Sequence, residues 1–228
     1  MSLERRLGHF ASILPRLSAH AFVEDGEQAA FAAIRGVDVG QLRQVDWSDC
    51  VVERCSFVSA TVADSTFERT LFTDCDCSGL TFANCLLRDC VFVGVKSVAH
   101  LALDNCVLDG VTIVRSRLDR LELLASRIAD FECALNAGRE LRVSDCTSPK
   151  RRAGRVVLQD SRFARLTGLD TLGAAGVSVH MDAVLWRALG DQLLAERGFA
   201  ELDNESRLSE RALDACLGAL VGAAGPAA

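Results

Sequence analysis

Polar and apolar residues recur along this chain with a period of five, a spacing that suits neither a helix nor an ordinary alternating strand. In residues 55–75, CSFVSATVADSTFERTLFTDC, small residues stand at Cys55, Ala60, Ser65, Thr70 and Cys75. Two positions after each of the first four come Phe57, Val62, Phe67 and Phe72, with mostly polar residues between. Extended both ways, the larger position reads Trp47, Val52, Phe57, Val62, Phe67, Phe72, Cys77, Phe82, Leu87 and Phe92, apolar at every step. Its companion reads Val45, Cys50, Cys55, Ala60, Ser65, Thr70, Cys75, Leu80, Cys85 and Cys90. An amphipathic helix would need apolar residues at i, i+3, i+4 and i+7. A hexapeptide β-helix would need a period of six. The run of matches at five excludes both.

The phase slips by one residue between Val95 and Leu101, then resumes through Leu101/Leu103, Cys106/Leu108, Val111/Ile113, Ser116/Leu118, Leu121/Leu123, Ser126/Ile128 and Phe131/Cys133. It weakens around Asn136, returns at Leu141/Val143, and reappears at Val156/Leu158 and Ser161/Phe163 in the same phase. Residues 147–155 therefore take up whole pentapeptides, read as one degenerate turn with an exposed loop.

The motifs CSFVS, STFER and NCLLRDC resemble those of the pentapeptide-repeat family: a small residue, a polar one, a central Leu or Phe, then two mostly polar positions. The resemblance covers about residues 40–168. It implies an all-β solenoid, a right-handed quadrilateral β-helix with four pentapeptides per coil and with the small and central residues pointing inward. At the strand spacing of about 4.8 Å, roughly six coils give a rod about 30 Å long. A twenty-residue coil stacks Cys55 on Cys75 and, allowing for the slip, Cys85 on Cys106.

The open ends of such a stack need caps, and α-helical caps are expected at both. Leu3, Leu7, Phe10, Leu14 and Leu17 lie on one helical face, predicting a cap over the first coil that GEQAAFAAIRG continues. The expected organisation is an N-terminal helical cap over 1–40, a pentapeptide-repeat β-helix over 41–175 and C-terminal helices over 176–228. Two amphipathic helices are predicted at 182–197 and from about 205 to 221. Leu185, Trp186, Leu189 and Leu193 carry more apolar surface than one narrow coil end can cover, which marks a candidate homodimer interface.

Composition narrows the function. A net charge of −6 argues against direct nucleic-acid binding through phosphate neutralisation. Aromatics are 6% with no Tyr, leaving little to stack on bases. No apolar run reaches the length of a membrane span, and Pro15 and Arg16 interrupt what would be a signal-peptide core. A cytoplasmic protein is expected. Nine of the ten cysteines fall on inward phases, which reads as small apolar core filler, with a zinc site at Cys75-x-Cys77 or Cys85/Cys90 as the alternative. The four histidines, His9, His20, His100 and His180, belong to no metal or nucleophile motif, and no phosphate loop or nucleophile elbow occurs. The expectation is a non-enzyme without cofactor or metal.

The LGAAGVSV-then-helix ending is similar to that of the bacterial pentapeptide-repeat proteins that protect DNA gyrase. That resemblance implies a homodimeric rod imitating duplex DNA, bound to gyrase or another topoisomerase and conferring resistance to its poisons. The candidate partner-binding surface is Asp49, Asp64, Glu68, Asp74, Asp89 and Asp109, with Lys150, Arg151 and Arg152 as a candidate loop contact. Yet residues 42–114 carry ten acids and five bases, a balance of −5, whereas residues 115–166 carry seven acids and twelve bases, a balance of +5. The series Asp49, Arg69, Asp89 and Glu68, Arg88, Asp109 also alternate in sign, as cross-coil pairing would require. The alternative is a generic interaction scaffold with an unknown protein partner.

Overall fold

The computed structural model describes residues 2–20, 22–182 and 200–201, with single positions at 214, 215 and 218. Among the described residues the named regular elements are, apart from the helix α1 (Leu3–Ile13) and two short 3-10 turns, short parallel strands that stack coil on coil. The register advances by twenty residues per coil on four faces. The first face stacks Leu42, Val62, Phe82, Leu103, Leu123 and, in the same column, Val143. The second stacks Trp47, Phe67, Leu87, Leu108 and Ile128. The third runs through Ile34, Val52, Phe72, Phe92, Ile113, Cys133, Leu158 and Met181. On the fourth, Ser97, Leu118, Gly138 and Phe163 are in register. Nearly all of these side chains meet in one continuous core. Phe72 and Phe92 stack at 4.5 Å between ring centroids, while Trp47 meets Phe67 edge-on at 5.4 Å. Both geometries favour aromatic pairs.

The polar positions between inward residues have a backbone task as well. At the end of most pentapeptides the chain turns a corner through positive φ, as at Asp49 (54°), Asp64 (53°), Asp74 (54°), Asn84 (57°), Asp89 (51°) and Asn105 (50°). Asp and Asn tolerate this left-handed conformation better than other residues with a Cβ. Gly94 and Gly110 stand at equivalent corners, where a Cβ would lie 2.8 Å from the Asp74 carboxylate and 2.7 Å from that of Asp89.

The two interruptions fall where the repeat breaks. The extra residue of the phase slip lies between Ser97 and Leu101, where Val98 projects with 80% of its surface exposed. After Thr147, which still pairs with Arg127, the next rung places Val156 on Phe131. That step is one pentapeptide longer than a coil, and residues 150–153 form its exposed loop.

The ladder also reaches beyond 41–175. Strands Ser18–His20, Gln28–Ala30 and Ala32–Arg35 precede it, with Ala29 on Trp47 and Ile34 on Val52. Val177–Met181 and Ala200–Glu201 follow it. The expected helical cap over 1–40 is thus helical only at Leu3–Ile13 and the turn Leu14–Arg16. Pro15 ends the helix because it lacks an N–H for an interior turn.

Nor does α1 lie over the first coil. Leu3, Leu7, Phe10 and Ile13 pack along the outside of the third face, on Val51, Leu71, Val91, Val93, Val114 and Ala134. Eleven residues of helix span about 16 Å, close to the reach of these rungs at about 4.8 Å each. Apolar outward side chains every twenty residues give the helix more surface to bury than a coil end would. Arg6 is buried beneath it and donates to the Gly110 carbonyl and, at 2.7 Å, to Thr112 Oγ1. It also lies 3.9 Å from Glu132. Leu185, Trp186, Leu189 and Leu193 of the first predicted C-terminal helix lie outside the described residues, as does most of the second, in which Asp214 and Ala215 are helical and exposed and Asp214 pairs with Arg115.

Candidate partner-binding surface

The repeat sends its thiols inward and its charges outward. Each of the nine described cysteines is at most 5% exposed. Several donate to the carbonyl of the preceding coil, as Cys85 Sγ does to Val62 O and Cys106 Sγ to Phe82 O, both at 3.4 Å. Ser126 Oγ does the same to Leu103 O at 3.0 Å. The small position therefore selects compact side chains with one short donor. Burial pushes the Cys50 thiol up to about 11 and those of Cys77 and Cys90 to about 12. Among the described residues no group of three or more His, Cys, Asp or Glu side chains could hold a metal ion.

The six candidate acids do not share one face. Asp64 stands at the corner between the first and second faces, where it accepts from Asn84 Nδ2 at 3.0 Å. Asn105 continues that ladder to Asn84 at 2.7 Å. Asp74 stands at the corner between the third and fourth faces, exposed, with the Thr73 hydroxyl 3.4 Å away. Asp49, Glu68, Asp89 and Asp109 gather along the edge between the second and third.

Along that edge the charges answer one another from coil to coil. Asp49 accepts two hydrogen bonds from Arg69, at 2.8 and 2.9 Å, and lies 2.7 Å from His9 of α1. The Arg69 guanidinium holds the Asp49 carboxyl below the usual carboxylate range, against burial and with help from His9. Glu68 is 3.0 Å from Arg69 and 3.4 Å from Arg88. Asp109 meets Arg152 at 2.9 Å, so the 147–155 loop folds back onto this edge. Lys150 and Arg151 stay exposed. The result is a two-sign lattice in which Asp49, Glu68 and Asp109 are already engaged. Asp64, Asp74 and Asp89 make no ion pair among the described residues. Sequence reasoning missed the His9 contact and the Arg152 anchor, both of which depend on tertiary packing.

The period of five, the four stacked faces and the twenty-residue register define a pentapeptide-repeat β-solenoid with an outer charge lattice. No protein-family model matches the chain, and no curated protein matches its sequence. Among solved structures it is similar to HetL, a pentapeptide repeat protein involved in heterocyst differentiation regulation from the cyanobacterium Nostoc sp. That match has 10% identity and a TM-score of 0.29 over 75% of this chain and 95% of that one. It is also similar to two trypsin-treated variants of QnrB1, a plasmid-mediated fluoroquinolone resistance protein. One has 16% identity and a TM-score of 0.24 over 77% of this chain and 99% of that one. The other has 14% and 0.18 over 78% and 99%. Likeness at these identities and TM-scores carries no argument for a shared role. Among the described residues no helix is long and apolar enough to cross a membrane.

Proposed function

We propose that this protein is a non-catalytic binding rod and that its partner is a DNA gyrase-type topoisomerase, shielded from poisons when the rod occupies its DNA-binding surface. The observation that carries this reading is the acid excess of residues 42–114, −5, borne on a rigid ladder whose thiols are all turned inward. Asp64, Asp74 and Asp89 are the carboxylates a partner would meet first, because Asp49, Glu68 and Asp109 are held by arginines. A supercoiling assay with gyrase, with and without a quinolone, tests it. Inhibition or rescue at micromolar protein supports the reading, and Asp64→Lys with Asp74→Lys should weaken it several-fold while Asp49→Asn leaves it unchanged. Neither inhibition nor rescue overturns it.

A second reading, a scaffold for a different protein partner, is favoured by the mixed sign of the lattice. Here the alternating charges serve the stack itself, and specificity comes from local departures such as the exposed Lys150 and Arg151. A pull-down from the host that recovers a partner other than a topoisomerase, lost on Lys150→Glu with Arg151→Glu, identifies this case.

A further inference from the structure

The outward column of the fourth face follows a different rule from the paired ladders. Backbone register places Asp38, Ser56, Asp76, Lys96, Arg117, Ala137 and Arg162 in one line, one residue per coil. In the adjoining columns of the same face opposite charges sit on successive rungs, as in Asp119 with Arg139 at 2.7 Å and Arg120 with Glu140 at 3.6 Å. Here the signs are segregated: the charged residues of the first three rungs, Asp38 and Asp76, are acids, and those from the fourth onward, Lys96, Arg117 and Arg162, are bases. Asp76 and Lys96 meet at 3.1 Å where the sign changes. Asp38, Arg117 and Arg162 are exposed and make no ion pair among the described residues.

Read backwards, the column complements itself on the charged rungs either side of its centre. Reversal sets Asp76 against Arg117, Ser56 against Ala137 and Asp38 against Arg162, while Lys96 meets its own copy at the axis with each ammonium held by the Asp76 of its own chain. Two flat faces related by a two-fold axis along the strands bring like column onto like column with the rods antiparallel. Both carry the same rung spacing of about 4.8 Å, so every rung stays in register. Val98, beside the axis, would meet its own copy, which gives a reason for an apolar side chain left 80% exposed. In the same reversal Val58, 52% exposed, comes against Arg139, and Ser78 against Asp119.

We propose that the fourth face is a docking surface for a second copy of this chain, packed antiparallel about a two-fold axis near Val98. An isologous contact needs a patch complementary to itself, and the Asp76/Arg117 and Asp38/Arg162 rungs of this column have that property. A polyanion or an acidic peptide would gain Arg117 and Arg162 but be repelled by Asp38 and Asp76. The strip is roughly 30 Å long and one face wide, at the low end of specific interfaces, so the pairing is micromolar and weakens with salt. It is distinct from the candidate interface at Leu185, Trp186, Leu189 and Leu193.

Symmetric cross-linking of the full chain tests this without interference from that other interface. Val98→Cys, at about 50 µM with a copper–phenanthroline oxidant, should form a disulfide dimer at least about tenfold faster than Arg127→Cys on the exposed second face. Adding Arg117→Glu and Arg162→Glu should abolish the cross-link, as should adding Asp38→Arg and Asp76→Arg instead. Mixing these two variants sets a column that is acidic at every charged rung except Lys96 against an all-base one and should restore it between unlike chains. Circular dichroism of each variant establishes that it is folded. A Val98→Cys rate no faster than that of Arg127→Cys, a rate indifferent to charge reversal, or no recovery in the mixture overturns the proposal.

Discussion

The third and fourth faces share one inward pattern and differ in what they turn outward. On the third, Val51, Leu71, Val91, Val114 and Ala134 make an apolar strip, and α1 covers it. On the fourth, the matching column carries Asp38, Asp76, Lys96, Arg117 and Arg162 and no described element lies over it. Inward residues therefore specify the coil, and outward residues specify what each side meets. A solenoid separates these two tasks cleanly because each coil touches only its neighbours and its own core.

The largest expected effect comes from removing the cover. Phe10 is 1% exposed between α1 and the third face, so Phe10→Ala should cost about 3–5 kcal/mol. Arg139→Ala on the fourth face, which breaks only its exposed pair with Asp119, should cost no more than about 1 kcal/mol. Urea unfolding monitored by circular dichroism compares them. Equal losses would mean that the strap and the bare face contribute alike. Arg6 is the polar anchor of the same cover. Arg6→Met leaves the half-buried Glu132 without its cation and should cost about 1–3 kcal/mol. Glu132→Gln added to it should recover part of that loss, a coupling that a double-mutant cycle reads directly.

Much of this contrast could be read from the chain. The period of five gave the inward columns, the slip after Val95 and the whole-pentapeptide break at 147–155, because packing in a narrow core admits few residue types. The place of α1 was harder. Its apolar face shows that it is buried but not against what. A signal was present in Val51, Leu71 and Val91, apolar residues exactly one coil apart at positions otherwise polar. The strands before position 40 were hidden because Ala29, Ala32 and Ala33 suit a helix as well as a ladder. Of the candidate site, the alternation of sign was legible, since it depends only on register. The capture of Asp49 by His9 and of Asp109 by Arg152 was not, since those partners arrive from forty or more residues away.

Acid should loosen the strap at Asp49 and relieve it at Glu132. The Asp49 carboxyl is held low by Arg69, despite burial, with His9 assisting. Its contribution is therefore full above the ordinary value of 3.8 and is lost as pH falls through the lower folded value. Burial pushes the Glu132 carboxyl up, against the attraction of Arg6, so its ionised form is a burden that falling pH relieves. Urea midpoints at about pH 7 and about pH 3 should show Asp49→Asn narrowing the acid loss of the parent and Glu132→Gln widening it. The same direction for both would contradict this assignment of the charges.

The smallest expected effect concerns the corners, which both faces share. Ala125 turns at φ 47° and is exposed, so its side chain contributes little to set against the strain of that conformation. At the same corner of the three preceding coils the chain has Asp64, Asn84 and Asn105, with the side chains of Asn84 and Asn105 hydrogen-bonded to the rung before. Ala125→Asn should relieve strain and extend that ladder toward Asn105, raising stability by about 0.5–1 kcal/mol. Ala125→Gly, which relieves the strain but adds no hydrogen bond and loosens the unfolded chain, should gain less. If glycine equals or exceeds asparagine in unfolding midpoint, the corner is conformational alone and the side-chain ladder contributes nothing at this rung.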